Sequence, residues 1–389
     1  MKEQPADKIK IAFVSPNAWT MYNFRREVLE SILQSGFEVI IIAEEDKYAS
    51  LLVSMGCQFV PVSIKNRSLR PADDILLFFW LKKIYKKYRP HFIFHYVIKP
   101  NIYGTLAAGI LHIPSIAIVT GLGHAFNKNN FLSALIKKLY YFSLRYAYEV
   151  WCLNKEDAGF FADNKIVPFK KIRILPGEGV NTDHFRNNSG VPKKKETFTF
   201  LMSARLLKSK GIIEYADATL LLRQKGFVFR CLLLGAIEDH PDAISYEQIL
   251  IWQQEHGLQY QGFTDDVRTY LSEADCFVYP SYYNEGVPRS LMEACSMELP
   301  VITTDNTGCR NLIQDGFNGF LCEKHDPFNL AIKMENMMIL STNERAMMGK
   351  KGRQIVTEKY NINKVVISYK SLLQTFFGKT SLDNNYTGK

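Results

Sequence analysis

Two glutamates, Glu285 and Glu293, lie eight positions apart on either side of a predicted helix start. The segment 274–305 is predicted to form strand, loop, helix and strand, because residues 276–279 and 299–304 are apolar, β-favouring runs. Pro288 suits the first helical position, which puts Glu285 in the loop and Glu293 inside the helix. The free N–H groups at a helix N-terminus can bind a diphosphate. Carboxylates on either side would repel the diphosphate but can accept hydrogen bonds from sugar hydroxyls next to it. A nucleotide sugar has this layout, because a ribose and a hexose flank its diphosphate. The alternative is one solvated helix glutamate and one loop glutamate.

Two cations precede a second predicted helix. Arg205 and Lys210 follow a strand that ends at Ser203, and the next helix begins near Gly211, so both charges lie at a helix N-terminus. Without further support, such a basic turn is an ordinary surface feature. A later strand ends in Gly235. Gly262 and Phe263 lie on a strand-to-helix turn, and its main chain is suited to contact a nucleotide base. The donor-binding residues that we predict are Gly235, Gly262, Phe263, Gly286, Val287, Pro288, Ser290, Leu291 and Glu293.

The first half begins as a Rossmann-like domain, with a strand at 8–14, a helix beginning near Asn23 and another strand from Phe37. The first turn has no G-x-G-x-x-G, which argues against a dinucleotide cofactor there. Arg25 and Arg26 begin the predicted helix. They either hold an acceptor phosphate or are ordinary surface charges.

Further candidates lie where predicted strands at 91–97 and 112–123 end, because ligands enter open α/β sheets at such ends. We interpret His95 as a packed strand residue. His124 follows the end of the second of these strands, so it is a candidate for catalysis, and the alternative is that it has no part in the reaction. The acceptor-binding residues that we predict are Asn17, Arg25, Lys99, Asn101, Gly121 and Gly123.

The stretch EGVPRSLMEA resembles the E-x7-E signature of retaining family-four glycosyltransferases, and PVITTDNTGCRNLIQDGFNGFL resembles the family segment after it. The similarity covers nearly the whole chain. It is closest to bacterial enzymes that extend polyprenyl-diphosphate-linked oligosaccharides, including the N-acetylgalactosaminyltransferases of N-glycosylation. The resemblance implies the α/β fold called GT-B, with two Rossmann-like domains facing a cleft and a C-terminal helix crossing back to the first domain.

The resemblance also implies residue roles. Glu285 binds the transferred sugar and Glu293 the ribose, while Arg205 and Lys210 match an R-x4-K-G pattern that acts on the donor diphosphate. With His124, near the strand end where a family histidine approaches the reacting sugar, the candidate catalytic residues are Glu285, Arg205, Lys210 and His124. Relatives often carry Glu where this chain has Asn311, so this chain departs from the family pattern there and no donor contact is carried over to Asn311.

Composition is that of a globular protein, with 47% hydrophobic and 22% charged residues. Seven cysteines without a C-x-x-C pair argue against a disulfide framework or zinc site, and most are expected in the core. We find no Asp-x-Asp motif, so we expect no metal. We also expect no cofactor, because the nucleotide sugar is a substrate. Neither a membrane span nor a secretory signal is evident, which predicts a cytoplasmic protein.

The net charge of +9 lies entirely in the first half: through Arg186 there are 25 Lys and Arg against 16 Asp and Glu, and afterwards 23 against 23. Such asymmetry predicts an anionic partner. No nucleic-acid-binding motif is present, so we predict no nucleic acid and favour an anionic membrane. Basic aromatic helices predicted at 75–90, capped by Asp73 or Asp74, and at 131–149 suit the inner face of the cell membrane. Each must also bury one face in its own domain.

We place a first domain at 1–186, joined by the tail 361–389, and a nucleotide-sugar-binding domain at 187–360, because 186–197 has linker composition. The function implied is transfer of a hexose or N-acetylhexosamine from a nucleotide diphosphate sugar to a lipid-diphosphate-linked acceptor. Two alternatives stay open, a nucleotide-sugar epimerase and a catalytically silent scaffold of a membrane glycan-assembly complex.

Overall fold

A computed structural model describes residues 8–65, 68, 70–122, 131–187, 197–283 and 286–378. The chain forms two compact units. One runs through Glu178 and resumes at Ile362, and the other extends from Gly179 to Asn361. The first change of unit therefore falls before the linker-like stretch at 186–197. Residues after Gly179 belong with the second unit because the Val180 N–H donates to the Tyr360 carbonyl (2.9 Å) and Phe185 packs in that unit's core.

The first unit contains a parallel sheet that has seven strands among the described residues, in the order β3-β2-β1-β4-β5-β6-β7. Strands β4 and β5 are buried along their whole length, as expected for a parallel sheet covered by helices on both faces. The strands are β1 (Lys10–Asn17), β2 (Glu38–Glu44), β3 (Gln58–Pro61), β4 (Phe92–Tyr96), β5 (Ser115–Val119), β6 (Glu149–Cys152) and β7 (Ile172–Ile174).

The helices of this unit connect its strands. They are α1 (Ala18–Gln34), α2 (Ala49–Ser54), α3 (Pro71–Tyr88), α4 (Thr105–Ile110), α5 (Phe131–Leu144) and α6 (Lys155–Asp163), with a π-helical turn at Pro100–Gly104 and a 3-10 turn at Phe169–Lys171.

The second unit has a parallel sheet of six strands within the described ranges, in the order β10-β9-β8-β11-β12-β13. The strands are β8 (Phe198–Ser203), β9 (Phe229–Leu234), β10 (Leu258–Tyr260), β11 (Cys276–Tyr279), β12 (Val301–Thr304) and β13 (Gly319–Cys322). The helices are α7 (Ile212–Gln224), α8 (Tyr246–Ile251), α9 (Arg268–Glu273), α10 (Arg289–Ser296), α11 (Thr307–Arg310), α12 (Pro327–Ile339) and α13 (Thr342–Ile355), with a 3-10 turn at Lys208–Lys210 and π-helical turns at Trp252–His256 and Val356–Tyr360.

The last helix, α14 (Ile362–Phe377), belongs to the first unit. Its Tyr369 is buried in that core, and the Tyr369 hydroxyl lies 2.7 Å from the Tyr96 hydroxyl at the end of β4. The predicted crossing of the C-terminal helix to the first domain is thus confirmed. All seven cysteines are buried, which confirms that most of them are core residues.

Several helix ends differ from the prediction. The first helix begins at Ala18 rather than near Asn23, because the Asn17 side chain accepts the Thr20 N–H (3.0 Å) and caps it. Arg25 and Arg26 therefore lie in mid-helix. The helix α5 ends at Leu144, before the predicted residue 149.

The start of α3 also differs from the prediction. It begins at Pro71, and the carboxylates of Asp73 and Asp74 pair with Lys65 (3.0 Å) and Lys99 (2.8 Å) instead of forming the cap. The helix α10 begins one residue later than predicted, with Pro288 in the capping position.

Candidate active site

The strand order of each sheet reverses once, which fixes where a ligand would bind. In the second sheet β8 lies beside β11, and in the first β1 lies beside β4. Ligands of open parallel sheets bind at the carboxyl ends of the strands at such a reversal. Lys210 follows β8, and α10 follows β11. Two of the segments predicted to bind the donor thus lie at the same edge of the same sheet.

Lys210 is 3% exposed, and its Nζ donates a hydrogen bond to the Tyr279 hydroxyl (3.0 Å) at the end of β11. The loops after β8 and β11 approach each other so closely that a Cβ atom added at Gly211 would overlap the carbonyl oxygen of Pro280. The φ of Gly211 is +80°, a conformation that also favours glycine. Arg205 is half-exposed, with Nη1 3.9 Å from Glu238. Of the two cations in the predicted motif, only Lys210 is inside the fold.

The start of α10 offers backbone donors to an anion. The capping residue Pro288 makes no side-chain hydrogen bond to the first turn, whose N–H groups include that of Ser290. Val287 and Leu291 are buried in the core of this unit, so their side chains serve packing and only their main chain remains for a ligand. Gly286 is also buried, and Glu285 lies outside the described residues.

Glu293 is oriented by its own helix. Its Oε1 accepts a hydrogen bond from Arg289 Nε (3.0 Å), one turn earlier, and both side chains are largely buried. Burial raises the pKa of Glu293, and the charge of Arg289 opposes that rise. The carboxylate is therefore held in one orientation by a cation, as a ligand to two neighbouring ribose hydroxyls would need to be.

The strand end at Gly235 and the predicted base-binding turn at Gly262 and Phe263 are adjacent. The Gly235 N–H donates to the Gly262 carbonyl (2.9 Å), joining the ends of β9 and β10. Gly262 has a φ of +75°, and the Phe263 ring is half-exposed. A half-exposed aromatic ring next to two main-chain turns is suited to stack on a flat base.

The residues of the first unit that were predicted to bind the acceptor differ in their contacts and burial. The Asn17 side chain caps α1. Lys99 pairs with Asp74 and also donates to the Ser68 carbonyl (2.8 Å). Asn101 is fully buried and donates to the Ile118 carbonyl (2.9 Å). Gly121 has a φ of +139°, whereas Gly123 and His124 lie outside the described residues.

Arg25 is a core residue rather than a surface cation at a helix start. It is 4% exposed, forms an ion pair with Glu178 and lies over the Tyr96 ring, 4.6 Å from its centroid. Burial alone lowers the pKa of Arg25, but Glu178 and its other partners raise that pKa above its ordinary value. The side chain thus already has an anionic partner, which does not favour a role in holding an acceptor phosphate.

His95 is fully buried between Tyr85, whose hydroxyl is 2.9 Å from Nε2, and Thr105, whose Oγ1 is 3.2 Å from Nδ1. Burial lowers the pKa of His95 to about 3, so its ring is neutral at physiological pH. The interpretation of His95 as a packed strand residue is confirmed.

Two family models match different parts of this chain. Residues 183–355 match the family model described as glycosyl transferases group 1, and residues 10–154 match the model described as glycosyl transferase 4-like. Residues 183–355 thus belong to the group 1 glycosyltransferases, and both matching models describe glycosyltransferases. The chain is 27% identical over 345 residues to N,N'-diacetylbacillosaminyl-diphospho-undecaprenol alpha-1,3-N-acetylgalactosaminyltransferase of Campylobacter jejuni, covering 85% of this chain and 89% of that one. It is 26% identical to UDP-Gal:alpha-D-GlcNAc-diphosphoundecaprenol alpha-1,3-galactosyltransferase of Escherichia coli, covering 94% and 96%.

Solved structures share the fold of this glycosyltransferase. A glycosyltransferase from Rickettsia africae superposes with a TM-score of 0.77 at 21% identity, covering 97% of this chain and all of that one. Anabaena Alr3699/HepE, crystallised with UDP and glucose, superposes with a TM-score of 0.75 at 16% identity, covering 94% and 100%. The expected GT-B fold, with two Rossmann-like domains, is confirmed.

Sequence reasoning missed two residues that contact the candidate site residues: Tyr279, which contacts Lys210, and Arg289, which contacts Glu293. The signal for Arg289 was available, because Arg and Glu four positions apart on a helix face form a pair. Tyr279 gives no such signal, since Lys210 is remote from it in sequence. Among the described residues, no group of three or more His, Cys, Asp or Glu could hold a metal ion. No helix in the described part of the chain is long and apolar enough to cross a membrane.

Proposed function

We propose that this chain is a retaining glycosyltransferase that transfers a hexose or N-acetylhexosamine from a UDP-linked donor to a polyprenyl-diphosphate-linked saccharide. The product would enter surface polysaccharide or glycoprotein glycan synthesis. The observation that carries the donor half of the proposal is the position of Lys210 and the start of α10 at the reversal between β8 and β11. The acceptor half is supported by two relatives, similar over most of their length, whose names specify an undecaprenol diphosphate acceptor.

The proposed reaction mainly requires stabilisation of the negative charge that develops on the leaving group. The bond between the anomeric carbon and the diphosphate oxygen breaks, an acceptor hydroxyl bonds to the same face of the sugar, and its proton passes to the leaving phosphate. Negative charge develops on that phosphate. Lys210, Arg205 and the N–H groups at the start of α10 would stabilise it as fixed charges and dipoles, so we propose that neither a metal nor a cofactor takes part.

The test compares Lys210→Ala with Lys208→Ala, which removes an exposed lysine from the same turn. Lys210→Ala should weaken UDP binding by roughly 10- to 150-fold, because a charge-assisted phosphate contact is worth about 1.5–3 kcal/mol. Lys208→Ala should leave binding nearly unchanged. Transfer is then measured by mass spectrometry on a lipid-diphosphate acceptor with a panel of UDP- and GDP-sugars. Equal UDP affinity in both variants would contradict the proposed donor site, and conversion of a UDP-sugar without acceptor would indicate an epimerase.

We also propose that the first unit lies on an anionic membrane at the inner face of the cell membrane, where such an acceptor would be reached. The helix α3 exposes large apolar side chains and carries exposed lysines. The exposed apolar residues are Ile75, Leu76, Phe79 and Trp80, and the exposed lysines are Lys83, Lys86 and Lys87. On α5, Phe131 is 84% exposed, and Tyr141 and Phe142 are about half-exposed. Apolar side chains flanked by cations are typical of a helix that lies at a membrane surface.

A flotation assay tests the membrane proposal. Changing Lys82, Lys83, Lys86 and Lys87 to Gln should release the protein from liposomes containing anionic lipid, since each cation near such a surface contributes about 1 kcal/mol. Activity on a short soluble acceptor should persist. The matched control removes four exposed lysines of the second unit, Lys225, Lys324, Lys350 and Lys359. Equal loss of binding in both variants would show that total charge alone governs attachment, and persistent binding of the α3 variant would refute this surface.

A further inference from the structure

Two tyrosines surround the Lys210 ammonium group. Its Nζ is 3.0 Å from the Tyr279 hydroxyl and 5.6 Å from the centroid of the Tyr279 ring. It is also 4.8 Å from the centroid of the Tyr283 ring. Tyr279 is the last residue of β11, and Tyr283 lies in the loop that leads to Gly286 and α10. The lysine of one loop is therefore held by aromatic residues of the other.

The protein fixes these tyrosines through the neighbouring strand and loop. The Thr303 hydroxyl, on β12, donates to the Tyr279 carbonyl (2.6 Å). The Asn306 side chain, just after β12, donates to the Tyr283 carbonyl (2.7 Å). The Ser209 carbonyl accepts the Tyr282 N–H (3.1 Å), which joins the two loops directly. The main chain at both tyrosines is thus held in place beside the turn that carries Lys210.

The chemistry of this contact suits a cation that must bind an anion. Burying an ammonium group is costly unless it is hydrogen-bonded. A phenol oxygen accepts one of its three N–H donors, and the face of an aromatic ring attracts the positive charge. Both groups are neutral, so neither tyrosine adds a negative charge beside the ammonium. Contacts of this kind fix the position of a cation that is to bind a phosphate.

We propose that Tyr279, with Tyr283, is a positioning residue that directs the Lys210 ammonium to the diphosphate of the donor. The proposal rests on the proposed function, in which Lys210 binds that diphosphate. A positioning role requires that the tyrosine act through Lys210 and on the diphosphate alone. Binding of the nucleoside part is independent of it.

The test measures the affinities of UDP and uridine by calorimetry for Tyr279→Phe and for Tyr282→Phe, which removes a hydroxyl from the same loop. Tyr279→Phe keeps the ring and loses one hydrogen bond, so UDP should bind about 3- to 10-fold more weakly. Uridine affinity should be unchanged, and Tyr282→Phe should change neither. Adding Tyr279→Phe to Lys210→Ala should cause no further loss of UDP affinity, because the group that Tyr279 positions is gone.

A merely structural role of Tyr279 would weaken UDP and uridine alike, or would add its loss to that of Lys210→Ala, and either result overturns the proposal. If Lys210→Ala weakens UDP binding and Tyr279→Phe does not, the positioning role fails while the proposed donor site stands. If Lys210→Ala leaves UDP binding intact, the donor site itself fails. Should Tyr279→Phe unfold, Tyr283→Leu removes the second ring and must give the same selective loss of UDP affinity.

Discussion

The buried ion pair between Arg25 and Glu178 gives a direct test of whether Arg25 is a core residue or an acceptor ligand. Changing Glu178 to Gln keeps the side-chain size and leaves the Arg25 guanidinium, 4% exposed, beside a neutral group. Breaking a buried pair in this way costs about 3–5 kcal/mol. Because Glu178 is 14% exposed, we expect the lower end, about 3 kcal/mol. For a domain of this size, that corresponds to a loss of roughly 6–12 °C in Tm.

The assay is calorimetric unfolding of Glu178→Gln, Arg25→Met and the double variant. The double variant should unfold at a higher temperature than Glu178→Gln, because it no longer buries an uncompensated charge. Arg26→Met is the matched control, since Arg26 is half-exposed and pairs with Glu30 along the helix surface. Its effect should stay within about 1 kcal/mol.

The opposite outcome is as informative. If Glu178→Gln and Arg25→Met unfold at the temperature of the unaltered protein, the pair does not stabilise the first unit. If Arg25→Met then also loses affinity for a lipid-diphosphate acceptor, Arg25 is an acceptor ligand, and its assignment to the core is wrong.

Two further predictions concern titration and donor binding. The pKa of His95 is lowered to about 3 in the folded protein, so between that value and pH 6.5 the unfolded chain binds a proton that the folded one does not. As the pH decreases from 6.5, the free energy of unfolding should therefore decrease by up to about 1.4 kcal/mol per pH unit. Asp157, with its pKa raised to about 6, opposes this, and the measurement is therefore the difference in unfolding free energy between His95→Gln and the unaltered protein at pH 7 and pH 5. Glu293→Ala should weaken UDP binding if it holds ribose, whereas Glu285→Ala should spare UDP binding and lower turnover. Identical effects on UDP affinity would contradict the assignment of Glu293 to the ribose and Glu285 to the transferred sugar. Arg289→Met should also weaken UDP binding, but less than Glu293→Ala, because Arg289 only orients the Glu293 carboxylate.

Local patterns of the sequence account for most of the fold. Apolar runs located the ends of β8 at Ser203 and of β11 at Tyr279 where the structure has them, because a buried parallel strand is continuous in hydrophobicity. Helix starts were less accurate. Asn17 caps α1 several residues before the apolar periodicity of that helix becomes evident, and Asp73 pairs with Lys65 rather than with its own helix end.

Contacts between distant parts of the chain could not be predicted in this way. Lys210 was identified from its motif, but its hydrogen bond to Tyr279 depends on β8 and β11 being neighbours in the sheet. Arg25 was predicted to be an acceptor-binding residue or an ordinary surface charge. Its burial was missed because its partner, Glu178, lies at the far end of the first unit's main segment. In both cases the residue type was informative, and the environment that decides its role came only from the topology.

The helix α3 shows how one segment can serve both the core and a surface. Leu77, Leu81 and Tyr85, spaced four apart, form its buried stripe, as the sequence required of a helix that covers a sheet. That stripe does not include Phe79, which is 57% exposed, or Trp80. Single exposed apolar residues are common on proteins, but large neighbouring ones beside lysines are typical of interaction sites. The apolar side chains that the core does not bury are therefore the physical reason for proposing a membrane partner, and the lysines would make it prefer anionic lipids.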